Sequence, residues 1–440
     1  MRKSLLALLL VALSAKAAAG DLLEVYRLAK TNDPAWLAAQ AGYQAGVEKA
    51  PQGRALLLPT LGLSASKSES DQHVKLLSSD NTYRYGTDTY SLQLTQPLYR
   101  KQNAAAYAQG LAGATQAEFD LEVARQDLIL RAARAYFDVL AAQDALDFVI
   151  TEKNAIARQL ALARRNFAVG NATLVDVHEA QARYDVAVAQ EIAATNQLEI
   201  TKQAMRVLIG AELGAYARLG EKLIPQPPEP TDMDKWVETA TNENRLLRSQ
   251  QQGLEIAKQE VEKSRGGHYP TLDLTASRSY SDAGGSVQGF AIESTTNQIG
   301  LQLQMPLYQG GGISSKVRES TALLEQASQQ FDQAHRLIAQ LVRQAYLAVL
   351  NGVARVQALE QARVSNERAL ESTVIGYERG VRTGVDVLNA QRELFRTRLD
   401  LSQARYDYLF SRLQLKAAAG ILRDEDLEDL NRLLAHKSSG

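Results

Sequence analysis

The sequence predicts an α+β membrane protein built by internal duplication, with four β-strands and two pairs of very long helices per chain. Three observations predict it. Ordered motifs recur at one offset, two long stretches lack proline, and the segments between the long helices alternate apolar with polar residues.

The duplication comes first. Pro59-Thr60-Leu61 returns as Pro270-Thr271-Leu272, and Leu92-Gln-Leu-Thr-Gln-Pro-Leu-Tyr99 as Leu301-Gln-Leu-Gln-Met-Pro-Leu-Tyr308. Ala135-Tyr-Phe-Asp-Val-Leu140 returns as Ala345-Tyr-Leu-Ala-Val-Leu350. Phe167-Ala-Val-Gly170 with Val175-Asp-Val177 returns as Tyr377-Glu-Arg-Gly380 with Val385-Asp-Val387. The offset stays at 209 to 211 residues, too regular for chance. The first repeat spans about 21–220 and the second about 234–430, leaving a C-terminal tail over 431–440. Between the repeats, 221–233 holds Pro225-Gln-Pro-Pro-Glu-Pro230, which reads as an extended linker.

Before the first repeat stands an address. Arg2 and Lys3 precede an apolar run of nine, Leu5 to Leu13, and A-x-A sites follow at Ala15–Ala17 and Ala17–Ala19. Residues 1–20 therefore read as a secretory signal peptide. The run is too short to anchor the chain permanently. Its removal changes the charges from 49 against 50 to 46 against 50, or −4. A chain so near neutrality gives no reason to expect a nucleic-acid partner. The absence of cysteine excludes disulfides, thiol catalysis, Cys-ligated metals and an N-terminal lipidated Cys. No later segment has 18 consecutive apolar residues, so a membrane span would have to be a β-barrel.

Proline divides each repeat. None occurs from Leu98 to Ile224 or after Leu307, and proline is costly inside a helix. Long helices are predicted over about 102–169 and 313–379, with Gly170 and Gly380 as tip turns. Return helices are predicted over about 173–208 and 383–419. At 1.5 Å per residue the long ones span about 100 Å. Leu130, Ala133, Phe137 and Leu140 form one stripe, and Tyr136, Val139, Gln143, Leu146 and Ile150 a neighbouring one. Tyr346, Val349, Val353 and Val356 repeat the second stripe. Two stripes per helix require a neighbour on each side, as in a curtain of helices closed into a tube.

The strands are predicted over about 60–66, 90–99, 271–280 and 299–308. Tyr90, Leu92 and Leu94 face one way and Ser91, Gln93 and Thr95 the other, which suits lipid on one side and water on the other. Tyr99, Tyr269 and Tyr308 sit where interfacial aromatics belong. The polar segments of about 67–89 and 281–297 are predicted as outer loops. Four strands cannot close a barrel, so copies of the chain must share one.

At this point the chain resembles the TolC family of outer-membrane efflux and secretion channels. The Pro-Leu-Tyr strand ends, Gly310-Gly-Gly312 and the segments 167–177 and 377–387 carry the resemblance, over about 21–430. It implies a homotrimer: a twelve-stranded β-barrel continuous with a long periplasmic α-helical barrel, in the outer membrane of a Gram-negative bacterium and in contact with its lipid. It also implies a periplasmic adaptor (membrane fusion) protein and an inner-membrane transporter, ABC or proton-driven, as partners, with no cofactor. By motif position, Asp176 resembles the acceptor of a tip latch, and Tyr377 and Arg382 its partners. Asp386 resembles the acidic constriction ring. Where the family pattern places a second acid, this chain has Asn389, so three rather than six carboxylates would line a trimeric constriction and cation preference would be weaker.

Thr173-Leu-Val-Asp176 and Thr383-Gly-Val-Asp386 also fit the capping box that opens a helix. Each Asp can serve as cap, latch or both. Arg382 has no capping duty, because the macrodipole disfavours a cation at a helix N-terminus. An exposed Arg–Asp pair is worth about 1 kcal/mol or less, which suits a latch that adaptor binding can open. No nucleophile elbow, P-loop or dinucleotide fingerprint occurs, and the five histidines lack metal-ligand spacing, so neither catalytic nor metal-binding residues are assigned. The expected function is a passive exit duct, serving type I protein secretion or small-molecule efflux. The alternative is a periplasmic coiled-coil adaptor without a pore, which would extract without detergent.

Overall fold

The computed structural model describes residues 20–76, 79–220 and 223–435. The expected leader lies outside them up to Ala19, as do 77–78 of the first outer loop, 221–222 of the linker and 436–440 of the tail.

In chain order the elements are α1 (Leu22–Asn32), α2 (Pro34–Val47), α3 (Lys49–Ala55), β1 (Thr60–Leu76), β2 (Ser79–Tyr99), α4 (Lys101–Ala168) and α5 (Leu174–Ile209). Then come β3 (Arg218–Leu219), α6 (Met233–Glu243), α7 (Arg245–Arg265), β4 (Thr271–Ala283), β5 (Ile292–Gln304), α8 (Gly312–Glu378), α9 (Gly384–Ala418), α10 (Asp424–Asn431) and β6 (Leu434–Ala435). Prolines sit where a missing N–H is tolerated. Pro34 opens α2 and Pro51 lies in the first turn of α3. Pro97 stands where the β2–β4 register shifts. Free of proline, α4 runs for 68 residues and α8 for 67.

The four long strands form one antiparallel sheet in the order β1-β2-β4-β5. Both hairpins exceed their sequence-predicted lengths, which corrects the outer loops. The first is paired without a break from Thr60↔Thr95 to Leu76↔Ser79, so most of 67–89 is strand. In the second, β4 reaches Ala283 and β5 begins at Ile292, leaving only 284–291 as loop. A backbone ladder does not need an apolar face. Polar cross-strand pairs accompany it here: Arg84 with Asp71 at 2.6 Å, Lys67 with Asp88 at 3.2 Å and His73 with Asp80 at 2.9 Å. At the other end β5 stops at Gln304 rather than Tyr308, because Pro306 has no N–H to extend the ladder. Leu61 and Leu63 on β1 and Ile299, Leu301 and Leu303 on β5 are 67–78% exposed, an apolar face with no cover in one chain.

The chain divides into two compact units that do not follow the repeat boundaries. One comprises residues up to 41, 121–245 and 335 onwards; the other comprises 42–120 and 246–334. Each repeat gives one hairpin to a single sheet, so neither repeat is compact alone.

The sheet-bearing unit also holds α3, most of α7 and residues 101–120 of α4. Arg100, directly after β2, forms a two-pronged ion pair with the buried Asp273 of β4, with Nε to Oδ1 at 2.8 Å. Lys101 Nζ lies 4.5 Å from the Tyr269 ring centroid.

The other unit is largely helical. Leu128, Ile129, Ala132, Ala133, Tyr136, Phe137, Val139 and Leu140 of α4 are buried, so both predicted stripes are covered over 133–140, while Leu130, Gln143, Leu146 and Ile150 are half-buried. Tyr136 Oη donates to Ala217 O at 2.8 Å, and Tyr408 Oη donates to Gln226 O at 2.9 Å in the proline-rich linker. The expected C-terminal tail is structured up to Ala435. Asn431 ends α10 and binds Leu22 N–H and Asp21, while β6 pairs with β3. Burial of the Asn431 amide explains why this segment is held. By contrast α8 leaves Leu323, Leu337, Leu341 and Leu347 exposed, and α5 leaves Val186, Ile192, Ile200 and Val207 exposed.

Candidate functional site at the helix tips

The two turns that join the long helices are built alike. Gly170 and Gly380 have φ of 78° and 74°, the left-handed region where a Cβ is penalised. At the first turn, Asn171 N–H reaches Asn166 O at 2.8 Å; at the second, Val381 N–H reaches Gly376 O at 2.9 Å. These bonds close Schellman motifs and satisfy helix-end carbonyls.

Each turn leads into a complete capping box. Thr173 N–H and Oγ1 both donate to Asp176 Oδ2 at 2.8 Å, and Asp176 N–H returns to Thr173 Oγ1 at 3.2 Å. Thr383 and Asp386 repeat the pattern, at 2.9, 3.0 and 3.2 Å. In both boxes the Oδ2 atom carries the cap. Among the described residues nothing donates to either Oδ1. Capping therefore leaves one oxygen of each carboxylate available.

The Asp386 carboxyl is held below its usual range, first by the Thr383 N–H, then by the Thr383 hydroxyl, with a smaller contribution from the Arg382 charge. A depressed carboxylate supports the fold above the unfolded value, about pH 4, and that support is lost as pH falls through the folded value. Amide-exchange protection of Thr383 is thus expected to fall on acidification below about pH 4. In Asp386→Asn it should be lower at neutral pH and insensitive to acid. Equal acid sensitivity in the two proteins would show that another group controls the turn.

The remaining residues sort by reach. Tyr377, near the end of α8, is half-buried, and its hydroxyl accepts from Asn166 Nδ2 of α4 at 3.2 Å. It does not meet Asp176 within one chain. Arg382 is exposed and makes no ion pair with a described residue of its own chain. Its stem packs so closely on the second turn that a Cβ at Gly376 would lie 2.8 Å from Arg382 Cγ. Asn389 Oδ1 on α9 accepts from Arg183 Nη2 on α5 at 3.0 Å. A cavity of about 540 Å³ lies between the turns, lined by Asn166, Asp176, Tyr377, Arg382 and Leu388 among others.

Asn166, Arg183 and Gly376 were not singled out from sequence. Motif matching directs attention to acidic positions after the turns. Asn166 lies before its turn, and its repeat equivalent, 210 residues on, is Gly376, so the duplication gives no parallel. The one available signal is a polar residue four positions ahead of the turn glycine.

Higher up, Phe148, Ile156, Val186, Leu388, Phe395 and Leu399 line a groove of about 780 Å³. Burial pushes the Glu152 carboxyl there upward, and Arg392 opposes the shift.

Comparison with known proteins accounts for this combination of sheet, helices and tips. The sequence model of the outer membrane efflux protein family matches residues 25–211 and again 236–421. The outer membrane protein TolC of Vibrio cholerae is 34% identical over 95% of this chain and 95% of its own length. The alkaline protease secretion protein AprF of Pseudomonas aeruginosa is 32% identical over 92% of this chain and 86% of its own. The crystal structure of the outer membrane protein VceC of Vibrio cholerae shares the fold, with a TM-score of 0.79 at 21% identity, over 91% of this chain and 96% of that one. The chain belongs to the outer membrane efflux protein family, and it is an outer-membrane exit duct of the TolC type with a large periplasmic part.

Proposed function

We propose that three copies of this chain close one passive channel that serves as the exit duct of a tripartite export system. A periplasmic adaptor and an inner-membrane transporter complete the system, and the transporter supplies the energy. The observation that carries this reading is the four-stranded sheet. Among the described residues β1 and β5 each have a neighbour on one side only, and the apolar face is bare. Edges of this kind demand a partner, and closure removes them. Two copies would supply eight strands and three would supply twelve. The exposed leucines of α8 and the exposed apolar residues of α5 likewise suit a closed ring of helices rather than one protomer in water.

The two separate matches of the family model support tandem repeats over about 21–220 and 234–430, joined by 221–233. The cargo we favour is secreted protein handed over by an ABC transporter, since AprF is named for protease secretion. Small-molecule efflux beside a proton-driven pump is the second reading, favoured by the family's name. The channel needs no catalytic residue, cofactor or metal. Its gate residues are Asp176, Tyr377 and Arg382; Asp386 and Asn389 ring the constriction, and Gly170 and Gly380 set the turns.

Cross-linking of the detergent-purified chain tests the assembly. The expected ladder ends at a trimer. A ladder that ends at dimers removes the twelve-stranded barrel, and a chain extracted without detergent removes the channel.

A further inference from the structure

We propose that Arg278 and Asn297, side by side on the lipid-facing side of the sheet, bind the phosphate of a lipid in the outer leaflet. The inference rests on the barrel reading above and is independent of the gate.

Cross-strand pairing fixes which side chains share a face. Ser64, Ser91, Ser279 and Thr296 stand in one row, and small or polar residues flank them on that face, which suits a watery interior. The opposite face is largely apolar from Leu272 and Leu303 up to the row of Leu61, Leu94, Ala276 and Ile299. The next row on it holds Leu63, Leu92, Arg278 and Asn297. Then come Tyr90 and Tyr280, with ring centroids 6.3 Å apart. Beyond the tyrosines the face is charged, with Lys67, Asp88, Asp282 and Glu293.

From Leu272 to Tyr280 the strand rises about 27 Å at 3.4 Å per residue, or about 20 Å along the axis of a barrel with the usual tilt. That approaches the apolar band of a membrane barrel, whose edges carry aromatic girdles. Tyr90 and Tyr280 therefore mark one edge. β2 passes into α4 at the opposite end, so the tyrosines mark the outer edge. Arg278 lies one row inside it. An uncompensated arginine on the lipid side of the band is destabilising. An anion at headgroup level compensates it, and the long stem lets the guanidinium rise to that level.

The acids of the charged row do not serve. Asp88 pairs with Lys67 at 3.2 Å, and Glu293 accepts from Tyr280 Oη at 2.9 Å. Asp282 stands four residues along the strand, about 13 Å away by backbone. Arg278 and Asn297 are both exposed, and among the described residues neither side chain has a hydrogen-bond or ion-pair partner. They lie directly opposite each other, a spacing of about 5 Å between Cβ atoms. A guanidinium fork beside a carboxamide N–H matches the oxygens of one phosphate. The charged row also decides the source. Its three acids outnumber Lys67 and repel a free phosphate arriving from the water. A lipid headgroup arrives sideways, in the plane of the membrane, beneath that row.

Native mass spectrometry of the detergent-purified full-length oligomer tests the site, with phosphatidylglycerol as the anionic probe and phosphatidylcholine as the zwitterionic one. The wild type should hold phosphatidylglycerol about tenfold more tightly than phosphatidylcholine, at one site per copy. Arg278→Leu should lose about tenfold in that affinity, the factor a hydrogen bond to a charged group supplies, and Asn297→Leu about fivefold. Arg278→Lys should keep part of the preference, since it retains the charge and loses the fork. Leucine suits the lipid face, so Arg278→Leu should assemble; should it not, Arg278→Gln takes its place. Added phosphatidylglycerol should raise the heat resistance of the wild-type oligomer and leave that of Arg278→Leu unchanged, a difference that a merely structural arginine would not produce.

Equal binding of the two lipids by the wild type overturns the site, as does unchanged phosphatidylglycerol affinity in Arg278→Leu. Unchanged affinity in Asn297→Leu overturns the pairing of the two residues. Displacement of phosphatidylglycerol by inorganic phosphate overturns the lipid as the source. Cross-linking separates this inference from the barrel reading. An oligomer without the lipid preference fails the site alone, and a chain that stays single in detergent fails the barrel with it.

Discussion

Arg382→Ser is expected to raise the steady conductance of the channel by about ten- to a hundredfold in open-to-closed ratio. Arg382 directly precedes the Thr383 cap, where the helix dipole repels a cation. It is exposed, and it forms no ion pair with a carboxylate among the described residues of its own chain. An arginine kept in such a place needs a partner beyond the protomer, and the geometry offers one. In both capping boxes Oδ2 carries the cap while Oδ1 accepts nothing among the described residues. Asp176 can therefore cap its helix and receive Arg382 of a neighbouring copy at once. An exposed pair of this kind contributes about 0.5–1 kcal/mol, a factor of about two to five. In the trimer proposed above, three such pairs acting on one opening event multiply to the expected range. Because the pairs are exposed, raising salt should open the wild type and leave Arg382→Ser little changed. Conductance that is equal in the two proteins at low salt would remove Arg382 from the gate.

The fold class is legible because it rests on strong local physics. Proline is scarce and confined to element boundaries, a register shift and the linker, so the long helices show as gaps between prolines. The capping boxes at Thr173 and Thr383 are legible for a similar reason, since threonine and aspartate three apart act on adjacent backbone. Strand ends are not. Residues 67–76 carry Glu69, Asp71 and Lys75 and look like loop, yet they pair residue by residue with 79–88. Backbone hydrogen bonds extend the ladder whatever the side chains are, once a partner strand is in place. The links at Asn166 and Arg183 were hidden for a different reason. They join residues 211 and 206 positions apart, on helices whose rotation about their axes comes from packing. No spacing within one helix encodes such a meeting. The interleaving of the two compact units is equally non-local, since each repeat lends a hairpin to a shared sheet.

The second large effect is expected at the base of the sheet, where Arg100→Ala should cost more stability than Asp273→Ala although both break the same pair. The asymmetry follows from burial. The Asp273 side chain is 8% exposed and the Arg100 side chain 38%. Removing arginine strands a carboxylate in a site closed to water, whereas removing aspartate frees an arginine that already reaches solvent. Loss of one partner from a buried pair costs about 3–5 kcal/mol. That range applies to Arg100→Ala; solvent access places Asp273→Ala well below it. The position amplifies the loss. Arg100 occupies the single residue between β2 and α4, and Asp273 is the third residue of β4, so the pair pins a strand-to-helix junction to the neighbouring strand. Replacing the pair by Leu at both positions should restore much of the stability, because no charge is then left buried. The temperature at which the purified oligomer stops resisting detergent and heat measures all four proteins. The expected order is wild type, double variant, Asp273→Ala and Arg100→Ala, from most to least stable. If Asp273→Ala proved the weaker of the two single variants, the buried carboxylate would not be the costly partner.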